Sequence, residues 1–587
     1  MAAVDLVVVG AGWSGLAAIK TYREVHPDSQ VLLLEAADSI GGVWAKHRLY
    51  SGLKTNNMLG TYEFSDFPMD EETFGVQAGQ HIPGDMVQRY MEEYAKHFGF
   101  SQLIRVRHQV ESAKKNLDGT WQLTVLHDSK SKTLDTKKLI VATGITSQAY
   151  LPTFMGQESF DAPIFHCRDL RQHESQILQT GQRVTVFGGT KSAWDAAYAC
   201  ATSGMKVDWV IRESGHGPIW MAPPYVTPLK KWLEKLVTTR FLTWFSPCIW
   251  GSADGFPRVR SFLHGTWLGR KIVDAFWSVL ADDVIQLNGY DKHPETKKLK
   301  PWVSPFWIAS SLSILNYPTD FFDLVRDGTI QVHVADINSL SAHTVHLSTG
   351  DSLSTTALIC STGWRCTPNL KFLPEGLDRE LGFPWSSDPL NAQMVKAADE
   401  EILSRFPRLQ SPPCPNPKYH PLNDEAEAAV PHPFRLARFM VPLSCLKDRS
   451  LAFMGITMTI NTTLVAQTQA LWIAAYFGGQ YTPTATEHCP PALRAGLDSK
   501  SENNDELDLA WETALHTEFG RYRYPAGFGR RNPDFVFDAI PYVDLMLRDL
   551  GLNPERKNGL LAQCLQPYGV EDYKGLIDEW KANLPAH

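Results

Sequence analysis

Apolar residues fill positions 4 to 9 apart from Asp5, and the run stops at Gly10. A short run rich in β-branched residues that ends in a glycine turn predicts a buried strand. Apolar positions then recur at helical spacing from Leu16 to about Glu24, and a second apolar run, Val31–Leu34, ends at Glu35. Strand, turn, helix and strand make a β-α-β unit. The same succession returns at Val184–Phe187, Gly188–Ala193, a helical stretch and Val207–Ile211. Two further apolar strands run into matching turns, Leu139–Gly144 and Leu358–Gly363. A pattern that repeats in this way predicts a duplicated α/β architecture, with the second unit inserted into the first.

Residues 215–310 break that rhythm. Eight of the 18 tryptophans fall there, at 220, 232, 244, 250, 267, 277, 302 and 307. The segment predicts a helical, aromatic-rich insertion in the second unit, and core packing is the first explanation for its rings. A substrate tunnel wall or a face that touches a membrane surface are the alternatives. Seven prolines between Pro412 and Pro433 predict an irregular connection, and Asp498–Asp508 predicts an acidic surface loop. Between Arg449 and Glu487 no side chain carries a formal charge, but Thr457, Thr459, Asn461, Thr462, Thr463, Gln467, Thr468 and Gln469 interrupt the stretch. It predicts a short strand, Leu451–Gly455, and a buried helix from about Thr463 to Phe477 rather than a membrane span.

Composition narrows the function classes. With 587 residues, 43% hydrophobic and 20% charged, the chain reads as a globular protein of several domains. Its 56 basic and 64 acidic residues leave a net charge of −8, which argues against nucleic acid as a partner. The nine cysteines form no CxxC pair, which removes a dithiol redox centre and a zinc ribbon, and no metal site is expected. Their sparse, odd count suits the reducing cytoplasm, and Val4–Gly10 reads as a strand rather than a leader.

The first turn reads Gly10-Ala11-Gly12-Trp13-Ser14-Gly15. The first glycine permits the tight turn, the second lets backbone approach a pyrophosphate, and the third lets helix and strand pack closely. Glu35, 20 residues beyond Gly15, stands where a carboxylate accepts ribose hydroxyls. This predicts a Rossmann-like site for FAD or NAD. Gly41-Gly42-Val43-Trp44 adds a second close approach and an aromatic plate, which favours FAD. In the second unit Thr190 replaces the middle glycine of Gly188-x-Thr190-x-x-Ala193, and Lys191 and Ser192 add candidate phosphate contacts. Arg212 stands where the first unit has Glu35, and an arginine there accommodates a 2′-phosphate. The second site is therefore expected to take NADPH.

FAD and NADPH in one chain imply hydride transfer to flavin. With no cysteine pair or iron–sulfur spacing to take electrons onward, molecular oxygen is the simplest acceptor. At this point the chain resembles a known family, the class B flavin-dependent monooxygenases, and looks like a fungal member of the flavin-containing monooxygenase branch. The resemblance rests on Gly10–Gly15, Glu35, Gly41–Trp44, Leu53–Asn56, Phe64–Pro68, Ala142–Gly144, Gly188–Asp195, Leu451–Gly455 and Gln469–Trp472. It implies two Rossmann-like dinucleotide-binding domains, the NADPH domain inserted into the FAD domain. Residues 1–172 would form the first part of the FAD domain, 173–364 the NADPH domain, and 365–587 the completion. In that family NADPH reduces FAD, oxygen adds at flavin C4a to give a hydroperoxide, and the protein shields it from water. Trp13, Ser14, Thr55, Val110, Thr143 and Gly144 complete the expected cofactor-binding set.

The resemblance also implies that Asn56 lies over the flavin ring, as the one catalytic residue. Baeyer–Villiger relatives carry an aspartate there, with a nearby arginine. Asn56 favours a neutral hydroperoxide that attacks nitrogen, sulfur or electron-rich carbon. A family signature linking the two domains is matched in part by Phe160–Leu170, where Ala162 and Leu170 replace a glycine and an aromatic around His166. The expected function is insertion of one oxygen atom into a small, apolar or aromatic molecule such as a secondary metabolite. Baeyer–Villiger oxidation of a ketone, and a non-catalytic nucleotide-binding redox sensor, are the alternatives. No motif here speaks to oligomeric state.

Overall fold

The computed structural model describes residues 4–227, 229–309, 312–365, 370–422, 432–497, 504–525 and 528–584. Two large β-sheets organise the chain, the first mixed and the second wholly parallel. In the first sheet the strand Val4–Val9 lies between Val31–Leu34 and the long strand Lys130–Val141, with Val7 opposite both Leu32 and Leu139. Lys130–Val141 serves two partners in turn. Its early residues pair antiparallel with Trp121–His127, and its last ones pair parallel with Val4–Val9 and Leu451–Phe453. The strand Lys371–Leu373 closes the far edge of the sheet. Residues more than 300 positions downstream thus complete the first sheet.

The second sheet has five parallel strands in the order Ile330–Val334, Lys206–Ile211, Arg183–Phe187, Leu358–Cys360 and Ile164–His166. It takes in Ile164–His166, upstream of residue 173. In both sheets the first strand of the unit has neighbours on either side reached by crossovers in opposite directions. That is a topological switch point, where ligands bind beyond the carboxyl ends of the strands.

The helices Trp13–Val25 and Thr462–Phe477 pack against each other under the first sheet. Leu471, Trp472 and Ile473 are almost fully buried, each side chain contributing about 1.5–3 kcal/mol by its burial. Among the described residues no helix is long and apolar enough to cross a membrane.

The 215–310 segment is helical in large part, its longest helix being Trp267–Asn288. It also forms short strands, one of which, Trp220–Ala222, pairs with Leu312–Ile314. Although it interrupts the second unit in sequence, it packs into the core of the first. Trp220, Trp250, Trp277 and Trp307 are buried there with the helix Trp13–Val25 and the C-terminal third. Trp250 alone meets Phe439, Phe519, Phe535 and Tyr542. The second sheet has its own cluster, with Trp194 and Trp209, and it takes Met221, Tyr290 and Leu299 from the insertion. Trp267 and Trp302 remain exposed. The expected acidic loop Asp498–Asp508 is corrected in its second half. Asn504–Asp508 open the helix Asn504–Arg523, and the earlier part lies outside the described residues, as do 423–431 of the proline-rich connection.

Candidate active site

A cavity of about 680 Å³ opens at the carboxyl ends of the first sheet. Gly10, Gly12, Trp13 and Ser14 form one wall, and Glu35, Gly42, Val43, Val110, Thr143 and Gly144 also line it. The glycines decide what fits. A Cβ on Gly10 would stand 2.5 Å from the carbonyl oxygen of Ala142, and one on Gly42 would stand 3.0 Å from the Cα of Gly12. Bare backbone therefore borders the cavity at this crossing. The helix that begins at Trp13 has neither a side-chain cap nor an acidic residue in its first turn. Its leading N–H groups suit a phosphate. Glu35 is held for its task, with Oε2 accepting from the Ala11 amide at 2.7 Å and Oε1 from the Ala37 amide at 2.8 Å. A dinucleotide fits this donor and acceptor set.

The other expected residues act from behind the wall. Gly15 is a packing glycine, since a Cβ there would fall 1.8 Å from the Gly10 carbonyl oxygen. Trp44 is no plate on the cavity. It is buried, and its indole N–H joins that of Trp13 on the hydroxyl of Tyr62, at 3.2 and 3.0 Å. Tyr62 itself lines the cavity. Buried Thr55 accepts from the Ile82 amide at 3.0 Å. Half-buried Asn56 donates from Nδ2 to Ser313 Oγ at 2.9 Å.

Sequence reasoning missed several lining residues. Thr457, Thr459 and Thr462 face the cavity, and in the sequence they served only to argue against a membrane span. Hydroxyls in a charge-free segment were the available signal. Arg48 and Arg168 also line it, donating to the carbonyls of Thr146 and Ser147. Burial, with Arg168 close by, brings the Arg48 pKa down to about 10.

His166 stands at the joint between the two units. Its Nδ1 accepts from the Arg168 amide at 3.2 Å, and its ring meets Trp364 edge-on at 4.9 Å. Arg48 covers the same Trp364 ring. Burial pushes the imidazole down to about 4, against the pull of Asp169, so it is neutral near pH 7.

The second turn lies on the second sheet, and none of Gly188, Thr190, Lys191, Ser192, Ala193 or Arg212 lines the first cavity. Gly188 has φ +133°, with Ser361 carbonyl oxygen 2.4 Å from where a Cβ would sit. The helix Lys191–Thr202 again starts with no side-chain cap and no acid in its first turn, so its end also fits a phosphate. Arg212 donates to Ser214 Oγ at 2.8 Å and to the His420 carbonyl at 2.6 Å, with Asp336 at 3.6 Å. Lys191 pairs with Asp195 and with Asn316 Oδ1, 3.0 Å away. Burial lowers its pKa, while Asp195 opposes that.

A carboxylate from the insertion steadies the strand that carries Asn56. Buried Glu234 accepts from the Met58 amide at 2.9 Å, Thr61 Oγ1 at 2.8 Å and the Trp232 indole at 2.8 Å, and from the Asn57 amide group. Burial raises its pKa despite these bonds.

The flavin-binding monooxygenase-like family matches residues 3–245. An FAD-dependent monooxygenase of Aspergillus sclerotiorum is 34% identical over 99% of this chain and 99% of its own length. This chain belongs to the flavin-binding monooxygenase-like family. Among solved structures, cyclohexanone monooxygenase from Rhodococcus sp. Phi1 bound to NADP+ shares the fold at TM-score 0.56 and 15% identity, over 94% of this chain and 97% of that one. S-allyl-L-cysteine S-oxygenase from Allium sativum does so at TM-score 0.53 and 14% identity, over 99% and 94%. Family membership makes the chain an enzyme, an oxidoreductase of monooxygenase type, and removes the non-catalytic sensor.

Proposed function

We propose that this enzyme uses FAD, NADPH and molecular oxygen to place one oxygen atom on a small, largely apolar organic molecule, as in secondary metabolism. The reading rests above all on the 680 Å³ cavity, bordered by the Gly10–Gly15 turn, by Glu35 and by the hydroxyls of Thr457, Thr459 and Thr462. Residues 1–172 and 365–587 form the FAD part and 173–364 the NADPH part, with Ile164–His166 added to the second sheet. When bound, FAD supplies the two-electron chemistry that activates dioxygen. Substrate, O2, NADPH and H+ give oxygenated substrate, NADP+ and water.

The chain's own groups bind, orient and exclude water. Glu35, fixed by two backbone amides, keeps lone pairs for ribose hydroxyls. Thr143, Gly144 and the helix start at Trp13 serve the phosphate region. Thr190, Ser192 and the helix start at Lys191 serve the second dinucleotide, and Arg212 gives it a 2′-phosphate partner. Asn56 is carried over as the catalytic residue on the family resemblance, and it lies behind the wall of this cavity rather than on it. Its neutral amide is paired with the neutral hydroxyl of Ser313. Asn56 in place of an aspartate supports transfer to electron-rich nitrogen, sulfur or carbon, while Arg48 and Arg168 on the cavity wall are the groups that would favour insertion beside a ketone.

The deciding experiment feeds the yellow, FAD-loaded protein NADPH under ¹⁸O₂ with an extract of candidate metabolites. The expected product is heavier by one ¹⁸O atom, with NADPH strongly preferred over NADH. Reduction of the bound flavin with no oxygen uptake sinks the reading.

A further inference from the structure

The helix Trp267–Asn288 turns an apolar face outward. Leu268, Ile272, Ala275 and Val279 follow one another at i, i+4, i+7 and i+11, a single stripe of a helix. Val279 is 70% exposed, Leu268 54% and Ile272 40%, and Trp267 beside them is 68% exposed. The opposite face, with Val273, Trp277 and Val284, is buried. At 1.5 Å of rise per residue the stripe is about 16 Å long. Neighbouring elements widen it. The helix Pro257–Gly265 meets it where a Cβ on Gly269 would stand 2.0 Å from the Phe262 carbonyl oxygen, and the Phe262 ring is exposed. Two turns on, Phe276 stacks on Phe245 at 4.1 Å, and Phe245 meets exposed Phe241 at 5.3 Å. The helix Leu560–Leu565 packs against the turn that carries Phe241 and leaves Leu560, Leu561 and Leu565 exposed. Nine of the 18 large apolar side chains exposed among the described residues therefore lie on one surface. An apolar patch of that extent marks a place where something docks.

The charges around the patch say what docks. Arg258 and Lys271 are exposed on its rim and enter no ion pair among the described residues. Arg270 donates to the Gly265 carbonyl at 2.9 Å. Two of the acids of the long helix are committed elsewhere, Asp274 to Arg408 at 2.9 Å and Asp283 to the Thr227 amide at 2.7 Å. Exposed Asp282 closes the stripe at its far end. Residues 215–310 hold 12 basic and 7 acidic residues, in a chain whose net charge is −8. An aliphatic centre with a tryptophan and unpaired cations at its edge fits a bilayer that carries anionic headgroups. A second copy of the chain fits less well, because a two-fold contact here would bring two sets of unpaired cations into one interface.

We propose that this face docks the protein on an anionic membrane surface. Leu268, Ile272 and Val279 enter the acyl boundary, Trp267 sits at the level of the headgroups, and Arg258 and Lys271 meet the lipid phosphates. No described helix is long and apolar enough to cross the bilayer, so the contact is a peripheral one. None of these residues lines the dinucleotide cavity, and the docking does not depend on the reaction assigned to it.

The test is co-sedimentation of the full-length, FAD-loaded protein with phosphatidylcholine vesicles that do or do not contain phosphatidylserine. The expected result is binding to the phosphatidylserine vesicles at least fivefold stronger than to phosphatidylcholine alone. Ile272→Glu combined with Val279→Glu lowers that binding at least tenfold. Lys271→Glu lowers it at least threefold and flattens its decline with added salt. FAD content and melting temperature report folding, and if the double variant does not fold, Lys271→Glu decides alone. Equal binding to the two kinds of vesicle overturns the proposal, as does binding to neither, or binding that the folded double variant keeps. Sedimentation velocity without lipid gives the remaining outcome. A dimer that the double variant abolishes assigns the face to a second copy and overturns the membrane contact.

Discussion

Lys191 and Asn316 lie 125 residues apart in sequence and 3.0 Å apart in space, ammonium against amide oxygen. Asn316 turns its nitrogen the other way, to the carbonyls of Lys54 and Thr55. One buried amide thus ties the turn of the second unit to the strand that bears Asn56.

Asn316→Ala removes an acceptor from Lys191 and a donor from two carbonyls. Leaving buried partners unbonded costs about 1–3 kcal/mol. A double-mutant cycle with Lys191→Met by urea unfolding is expected to show coupling of about 0.5–3 kcal/mol. Strict additivity of the two losses would show that the latch carries nothing. In turnover, Asn316→Ala is expected to release more hydrogen peroxide per NADPH than wild type, measured with a peroxide-coupled dye.

Arg212→Leu is expected to cut kcat/KM for NADPH by one to two powers of ten, matching a charge-assisted bond of about 1.5–3 kcal/mol. NADH, which lacks the 2′-phosphate, should be used as before. Equal losses with both nucleotides would make Arg212, held by Ser214, His420 and Asp336, a structural residue only.

His166 makes stability depend on pH. Its folded pKa is depressed from 6.5 to about 4. The unfolded chain therefore takes up a proton that the folded chain refuses between those values. The contribution is complete above pH 6.5, declines as pH falls, and is gone below about 4, a loss of about 3 kcal/mol. The stability difference between wild type and His166→Gln, from urea melts at several pH values, should shift by that amount across the window. A flat difference would contradict it.

Asp544→Ala strands a guanidinium. Arg240 is buried, bonded to Asp544, to Tyr568 Oη at 2.9 Å and to the Pro554 carbonyl at 2.9 Å. Breaking such a pair by removing one partner costs about 3–5 kcal/mol. The double variant Arg240→Met with Asp544→Leu should recover part of that loss in the same melts. This pair joins the insertion to the helix Ala539–Asp549 of the C-terminal third.

The two β-α-β units are legible in the residue pattern alone. Gly10, Gly15 and Gly188 sit where a side chain would collide with backbone, a constraint local enough to leave a signature. The same pattern marks the buried helix near Thr463, because an apolar, charge-free run has nowhere else to go. Long-range packing sets which core the tryptophans of the insertion fill, that Trp44 faces Tyr62 rather than the cavity, and that Lys191 clasps Asn316. A cleft at the seam of the two units belongs with these. Its walls come from residues 54 to 86 and 316 to 318, and packing between distant segments leaves no periodicity along the chain. Local sterics are written in adjacent residues, whereas the meeting of two surfaces depends on shapes that form only after both have folded.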